Sequence, residues 1–169
     1  MAIVGAIAAV EGARDRVYEC RDVRDIHAGI VEPVFGAEAL AMRSKREHQV
    51  EFPFWVRVNG KVTRRGRVAV QGGIVEREVS KALRAFSRRV EALDGGGISL
   101  MDALQPALRL YVQMLRIHPF FDGNGRSAWV LMVYAFRRVG LPIPAMRVDE
   151  ESRCALGAAL KPTNPSQAT

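Results

Sequence analysis

Apolar side chains recur three and four residues apart along most of this chain, a spacing that places them on one face of an α-helix. The clearest case is the segment Glu76 to Leu93, whose apolar positions are Val79, Leu83, Phe86, Val90 and Leu93. The glycine run Gly95–Gly97 marks its end. The segment Gly12 to Leu40 has a similar spacing, and Pro33 predicts that it breaks into two short helices.

A second long helical pattern begins near Ser99, where Ser99 and Asp102 have the spacing of a helix cap. Its apolar face is Leu100, Leu104, Leu108, Tyr111, Val112 and Leu115. Pro106 lacks a backbone N–H, so either the helix kinks there, or 99–105 is a separate turn and the helix begins at Pro106. Further on, Ser127 to Val139 is apolar on nearly every side, which predicts a buried central helix ended by Gly140 and Pro142.

The alternating, aromatic-rich segment Phe52 to Val58 predicts a strand instead. Asn59-Gly60 is a strong two-residue hairpin turn, after which Lys61 begins the return strand. A second extended segment is predicted from Arg67 to Val75, with Gly72-Gly73 as a sharp turn. The pattern therefore predicts a mainly α fold with a short β-hairpin ahead of the last helices.

Composition places the chain among ordinary globular proteins, since 49% of its 169 residues are hydrophobic and 25% are charged. We expect one domain over residues 1–160 and a disordered tail over 161–169. Cys20 and Cys154 are too few for a disulfide framework and lack metal-site spacing, so a reducing cytoplasm fits best. The apolar first ten residues are too short to span a bilayer, and we expect no membrane association.

The chain is basic, with a formal net charge of +7. Such a field attracts nucleotides, nucleic acid or an acidic protein, without choosing among them. No motif of interleaved aromatic and basic residues accompanies the charge, so nucleic-acid binding is not expected.

Chemistry is concentrated in the nine residues His118-Pro-Phe-Phe-Asp-Gly-Asn-Gly-Arg126, which directly precede the buried helix. A histidine accepts a proton near neutral pH, and an aspartate binds hard divalent cations. Two glycines allow successive N–H groups to converge on an anion, and a helix N-terminus adds partial positive charge. These are the parts of a phosphate-transfer site.

Each motif residue has a predicted role. His118 is a candidate general base, and Asp122 is either a Mg²⁺ ligand or the helix N-cap, or both. The backbone N–H groups of Gly123, Asn124 and Gly125 are candidates to hold a phosphate, and Arg126 to add a charged fork. We expect Phe120 to face the core, and His27 and His48 to be structural or exposed.

The same segment resembles the signature of the Fic family, His-Pro-Phe-x-Asp/Glu-Gly-Asn-Gly-Arg-x-x-Arg, at every specified position except the last, where Trp129 replaces the second arginine. Outside the motif the resemblance is one of pattern and covers about 23–147. It implies a Fic-type helical bundle with a hairpin flap and transfer of AMP from Mg²⁺-ATP to a Ser, Thr or Tyr hydroxyl of a protein. In that family the histidine is the base, the acidic residue holds the metal, and the segment matching Gly123–Arg126 binds the nucleotide phosphates.

The resemblance also implies a flap that holds the target segment as an added strand, for which Gly72, Gly73 and Ile74 are the candidates. Since Trp129 removes the arginine for the outer phosphates, donors for phosphoryl, UMP or phosphocholine transfer stay open. So does a non-catalytic module that binds a nucleotide or a partner, although the intact His118 and Asp122 speak against it. The inhibitory Ser/Thr-x-x-x-Glu-Gly/Asn motif is absent, so we expect any restraint to come from a separate antitoxin-like chain or from low affinity.

Overall fold

A computed structural model describes residue 7 and residues 17–35, 40–93, 99–143 and 149–160. The predicted segment at residues 1–10 (apart from residue 7), the terminator Gly95–Gly97 and the tail 161–169 lie outside these described residues. The described elements are, in order, α1 (Cys20–Phe35), β1 (Glu51–Val58), β2 (Lys61–Val68), a 3₁₀ turn (Gly72–Ile74), α2 (Val75–Glu91), α3 (Leu100–Ile117), α4 (Asn124–Arg138) and α5 (Glu150–Leu160). This confirms the mainly α fold with one short antiparallel hairpin.

The centre of the fold is α4, as its apolar sequence predicts. Its buried residues include Ala128, Val130, Leu131, Met132, Val133, Tyr134, Ala135 and Phe136. The helices α1 and α3 pack against it, and α2 packs on α3. Beyond α4, Gly140 has φ +76, and the N–H groups of Gly140 and Leu141 bond to the carbonyls of Arg137 and Phe136. That pair of bonds is a Schellman motif, so Gly140 does end the helix as predicted.

The hairpin forms where the sequence places it. Asn59 and Gly60 have φ +49 and +78, the left-handed conformations of a type I′ turn. The strands pair from Val58↔Lys61 to Glu51↔Val68. Phe52, Phe54 and Val56 face the core, while most of β2 is exposed or half-buried.

Both prolines lie inside helices. α1 continues through Pro33 and ends two residues later at Phe35, and 36–39, where a second short helix would begin, lie outside the described residues. α3 runs from Leu100 through Pro106 to Ile117, so a separate turn over 99–105 is wrong, and a kink at Pro106 stays a prediction. The cap of α3 is Ser99, whose hydroxyl accepts the N–H of Asp102. Burial of Ala107, Leu110 and Met114 on its inner face offsets the single hydrogen bond that proline removes.

The prediction of an extended segment from Arg67 to Val75 is wrong beyond Val68. Gly72–Ile74 forms a 3₁₀ turn that leads directly into α2. Gly72 is buried so closely that a Cβ there would lie 2.2 Å from the carbonyl oxygen of Lys45. The glycine therefore serves close backbone packing at the start of a helix, and not a turn between strands.

The last described helix, α5, covers one edge of the hairpin. Its Gly157 lies against the backbone of Trp55 on β1, where a Cβ would come within 1.6 Å of the Trp55 carbonyl oxygen. Arg67 and Arg116 donate to the carbonyls of Leu160 and Ala159 at the helix C-terminus, where positive charge is favourable. None of the helices in the described part of the chain is long and apolar enough to cross a membrane.

Candidate functional site

The motif occupies the tight connection between α3 and α4. Its first residue, His118, ends α3 in the left-handed conformation, with φ 52 and ψ 61. A non-glycine residue held there stores about 1–3 kcal/mol of strain and persists only where its surroundings enforce it. Gly123, with φ 69, begins α4. The loop thus reverses at two left-handed residues and brings the histidine to the N-terminus of the central helix.

The imidazole of His118 is half-buried and fixed on two sides. It stacks on Phe52 of β1 with ring centroids 4.5 Å apart and planes inclined by 3°. Its Nδ1 lies 3.4 Å from the Leu115 carbonyl oxygen. A proton on Nδ1 is donated to that carbonyl, which leaves the lone pair of Nε2 to accept a proton.

Burial lowers the pKa of His118 to about 4. The Leu115 carbonyl and the charge of Asp122 raise this pKa, whereas the charge of Arg43 lowers it. The ring is therefore neutral at pH 7, the protonation state that a general base requires.

Asp122 is exposed, and its Oδ1 accepts the N–H of Gly123 at 2.6 Å. The N-cap of α4 is Gly123, which has no side-chain cap bond, so the N-cap alternative for Asp122 is wrong. Among the described residues, no three His, Cys, Asp or Glu side chains cluster as a metal cage. Mg²⁺ held by one carboxylate together with phosphate oxygens needs no cage, so Asp122 fits a cation that arrives with a nucleotide.

Asn124 braces the loop from within, because its side chain bonds to Phe120 twice. The Phe120 N–H donates to Oδ1 and Nδ2 donates to the Phe120 carbonyl, both at 2.9 Å. The side chain is buried and committed to these bonds. Any contact of Asn124 with a phosphate is thus left to its backbone N–H, as predicted.

A second brace lies beneath Gly123. The Ser127 hydroxyl donates to the Gly123 carbonyl at 3.1 Å and lies 2.9 Å from Nδ1 of His27. The His27 ring is fully buried and stacks on Phe120 at 3.5 Å, with the two rings nearly parallel. A Cβ on Gly123 would come within 2.9 Å of the same ring. His27 is structural, as expected. It supports the turn that carries the backbone N–H groups of Gly123, Asn124 and Gly125, the predicted phosphate nest.

A third brace is Arg43, which no sequence pattern singled out. Its side chain is 0% exposed and donates to the carbonyls of Ile117, His118, His48 and Val70 at 2.6–2.8 Å. Burial lowers the pKa of this guanidinium, which nevertheless stays charged at neutral pH. It connects the end of α3 to the segments on either side of the hairpin.

The remaining predicted site residues lie on α4 and just ahead of α2. Gly125 and Arg126 belong to the first turn of α4, whose N–H groups have no partner within the helix. Trp129 is one turn further along α4 and packs half-buried against the core. The candidate flap residues Gly72, Gly73 and Ile74 form the 3₁₀ turn described above. A 3₁₀ turn presents no extended edge, so the strand conformation predicted for them is wrong.

The model of one protein family, described as the Fic/DOC family, matches residues 18–136, well over half of the chain. The chain belongs to the Fic/DOC family. Its structure resembles the crystal structure of a Fic domain containing signaling protein from Bacteroides thetaiotaomicron VPI-5482, with a TM-score of 0.68 and 17% identity. The match covers 94% of this chain and 54% of that one, and at this identity it shows the fold alone.

Two curated proteins match shorter parts of this Fic-family chain. A uridine 5'-monophosphate transferase of Xanthomonas campestris pv. campestris (strain 8004) is 47% identical over 47 residues, 28% of this chain and 9% of that protein. A ribonucleoside-diphosphate reductase small chain of Ostreid herpesvirus 1 (isolate France) is 35% identical over 71 residues, 41% of this chain and 12% of that protein. The matched segments thus cover about a tenth of the length of either protein.

Sequence inspection missed most of the support for this Fic motif. His27 had a usable signal, since it follows Val23 by four residues and precedes Ile30 by three on the apolar face of α1. Arg43 had none, because it begins the charged run Arg43-Ser-Lys-Arg-Glu-His48 that resembles a solvated loop. Phe52 was expected in a strand, but its stacking on His118 joins parts 66 residues apart.

Proposed function

We propose that this protein is a Fic-type nucleotidyltransferase that moves AMP from Mg²⁺-ATP to a Ser, Thr or Tyr hydroxyl of a target protein. The observation that supports this most is the loop itself, which holds a neutral histidine and a helix N-terminus on the two sides of one turn. This arrangement supports a reaction in which a base acts beside an anion-binding terminus.

In the proposed reaction the acceptor hydroxyl gives its proton to Nε2 of His118 as its oxygen attacks the α-phosphorus. A bond forms between that oxygen and phosphorus, the bond from phosphorus to the β-phosphate oxygen breaks, and pyrophosphate leaves. The N–H groups of Asn124 and Gly125, together with Arg126, hold the phosphates. The N–H of Gly123, which donates to Asp122 Oδ1 in this structure, would join them once Asp122 turns to Mg²⁺. Asp122 would hold Mg²⁺, which neutralises charge on the phosphate chain.

A second donor is favoured by one specific observation. One relative is by name a uridine 5'-monophosphate transferase, whereas Trp129, which offers no positive charge for outer phosphates, does not distinguish UTP from ATP. UMP transfer from UTP is therefore the alternative. An antitoxin-like chain stays a candidate partner on the grounds given by the sequence.

For the target, we propose the outer edge of β2 as the docking site. Val58 and Lys61 flank a two-residue turn, so from this pair onward hydrogen-bonded pairs alternate with pairs that exchange no hydrogen bond. In β2 the main-chain groups that point away from β1 are therefore those of Val62, Arg64, Gly66 and Val68. The bond from the Ala69 N–H to the Val50 carbonyl at 2.8 Å fits this alternation. No third strand pairs with β2 in the described ranges, so an extended segment can add there.

The deciding experiment incubates the protein separately with α-labelled ATP, γ-labelled ATP, α-labelled UTP and choline-labelled CDP-choline, in a cell lysate as a source of acceptors. Transfer of the α-label of ATP to protein, lost in His118→Ala by about 10²- to 10⁴-fold, supports the proposal. The UTP label indicates the alternative, and the γ-label or the choline label overturns both. If His118→Ala retains turnover near that of the native chain, the histidine is not the base.

The docking edge has its own test. Arg64→Pro removes an outward N–H without removing a bond between β1 and β2, and we expect it to reduce labelling of the target while autolabelling and hairpin stability are retained. The matched variant Arg64→Ala keeps that N–H and controls for loss of the side chain. Equal labelling by all three proteins would show that the target does not use this edge.

A further inference from the structure

We propose that Arg43 is a positioning residue for His118, and that it holds the histidine independently of the groups that hold the phosphate nest. The proposal rests on the proposed function insofar as His118 is taken as the base. Its structural part, that Arg43 fixes the orientation of His118, is open to test without any activity.

Arg43 engages three consecutive carbonyls at the end of α3. Its Nη2 and Nε donate to the carbonyls of Ile117 and His118, both at 2.8 Å. Its backbone N–H donates to the carbonyl of Pro119 at 2.9 Å. The carbonyls at a helix C-terminus lack partners within the helix and favour a cation. One residue thus fixes both peptide groups that flank the left-handed His118.

The other end of the guanidinium is anchored near the hairpin. Nη1 donates to the His48 carbonyl at 2.6 Å and Nη2 to the Val70 carbonyl at 2.7 Å. These two residues lie just before and after the strands, one of which supplies Phe52 to the face of the His118 ring. Arg43 therefore sets the backbone of His118 relative to the aromatic ring against which its imidazole stacks.

All four side-chain hydrogen bonds found for Arg43 in the described part of the chain go to main-chain carbonyls. Burying a cation without a carboxylate partner is expensive, and apolar packing of similar volume commonly serves stability as well. Stability alone therefore gives no reason for an arginine here. Holding a strained residue such as His118 in one conformation does give a reason, because such strain persists only where it is enforced.

The nest depends on different side chains. Asn124 braces Phe120, and Ser127 with His27 supports Gly123. The hydrogen bonds of Arg43 reach residues 117–119 and not these groups. Loss of Arg43 should consequently displace the base and spare the phosphate site.

The test compares Arg43→Met and Arg43→Lys with two controls. Arg116→Met removes another arginine-to-carbonyl contact, to Ala159 of α5, and Ser127→Ala weakens the brace under the nest. We expect Arg43→Met to slow single-turnover transfer about 10²-fold with nucleotide Kd changed less than about threefold. Arg43→Lys, which keeps the charge, should recover part of the rate. Ser127→Ala should mainly weaken nucleotide binding, and Arg116→Met should change neither quantity.

A spectroscopic readout separates this proposal from the proposed function. The chain has three histidines, and the His118 ring protons, which the ring current of Phe52 shifts, are assigned by their absence from the spectrum of His118→Ala. These shifts should be lost in Arg43→Met, while the His27 resonances stay in place. If the native chain transfers no label from any donor, the proposed function fails, and the resonances still decide whether Arg43 orients His118. Unmoved His118 resonances, equal losses of rate and affinity, or failure of both Arg43 variants to fold would overturn the proposal.

Discussion

Gly123 combines a left-handed backbone conformation with close packing around its α-carbon. Its φ of +69 is unfavourable for any side chain, and a Cβ built there lies 2.6 Å from Cγ2 of Val31 and 2.9 Å from Cε1 of His27. Both neighbours are fully buried and cannot move aside without disturbing α1. Gly123→Ala therefore combines a backbone penalty with overpacking.

The size of the effect follows from these two contributions. A left-handed conformation costs about 1–2 kcal/mol for a residue with a Cβ, and overpacking of a close-packed core typically costs about 1–3 kcal/mol. Alanine also reduces the freedom of the unfolded chain, which offsets up to about 1 kcal/mol. We expect Gly123→Ala to lower the free energy of unfolding by about 1–5 kcal/mol.

Two other glycines separate the contributions. Gly140 has φ +76 and nothing within 4 Å of its built Cβ, so Gly140→Ala reports the backbone penalty without the clash. Gly125, in the first turn of α4, has an unrestricted φ and open space, so Gly125→Ala should be neutral or stabilising by up to about 1 kcal/mol. Urea unfolding of the three variants and the native chain measures all of these values.

The comparison also tests the phosphate nest. If Gly125 lets a phosphate approach the backbone, Gly125→Ala should weaken nucleotide binding in calorimetry although the variant is no less stable. For Gly123→Ala, a loss of stability equal to that of Gly140→Ala would refute the packing of His27 and Val31 under the turn. A double variant Gly123→Ala/Val31→Ala that loses less stability than the sum of the two single variants would support it.

Three further predictions concern the chemistry of the loop. Asp122→Ala should abolish the Mg²⁺ dependence of nucleotide binding in calorimetry, and an unchanged Mg²⁺ response would remove Asp122 as the metal ligand. If the site uses ATP and lacks only a phosphate clamp, Trp129→Arg should strengthen the binding of ATP more than that of AMP. The expected gain is about 1.5–3 kcal/mol for a new charge-assisted bond. Equal affinities for both nucleotides in both proteins would place residue 129 away from the phosphates. Because the pKa of His118 is lowered to about 4, kcat/KM should stay level through neutral pH and fall only as pH approaches about 4; an inflection of kcat/KM near pH 6.5 would contradict this. The stability contributed by the neutral ring should decline as pH falls from about 6.5 toward 4, and an equal decline in His118→Ala would show that other groups cause it.

Local signals in the sequence predicted the fold well where one segment determines its own structure. The periodicity of α2 and α4, the Ser99 cap, the Asn59-Gly60 turn and the Gly140 terminator all depend on residues within a few positions of one another. Local rules fail when distant packing opposes them. Pro106 stays inside α3 because its neighbours are buried against the core, and a propensity rule contains no such information.

In the site, too, local sequence signals concern the motif itself, whereas its supports come from distant parts of the chain. The motif identified His118 and the nest, since each residue type there has its own chemistry. It contains nothing about what lies beneath the loop, where supports come from α1, from the segment before β1 and from β1 itself. Their residues are ordinary when taken singly: a histidine on a helix, an arginine in a charged run and a phenylalanine in a strand.

The separate origin of these supports also bears on how the Fic motif can change. His118 and the nest belong to one turn, but different side chains support them. Arg43 and Phe52 hold the histidine. The nest is held by Asn124, Ser127 and His27. A substitution at position 129, one helical turn into α4, therefore leaves the supports of His118 in place. Donor preference can then change while the proton-accepting group stays in place, which is why the identity of the transferred group is the first property to measure.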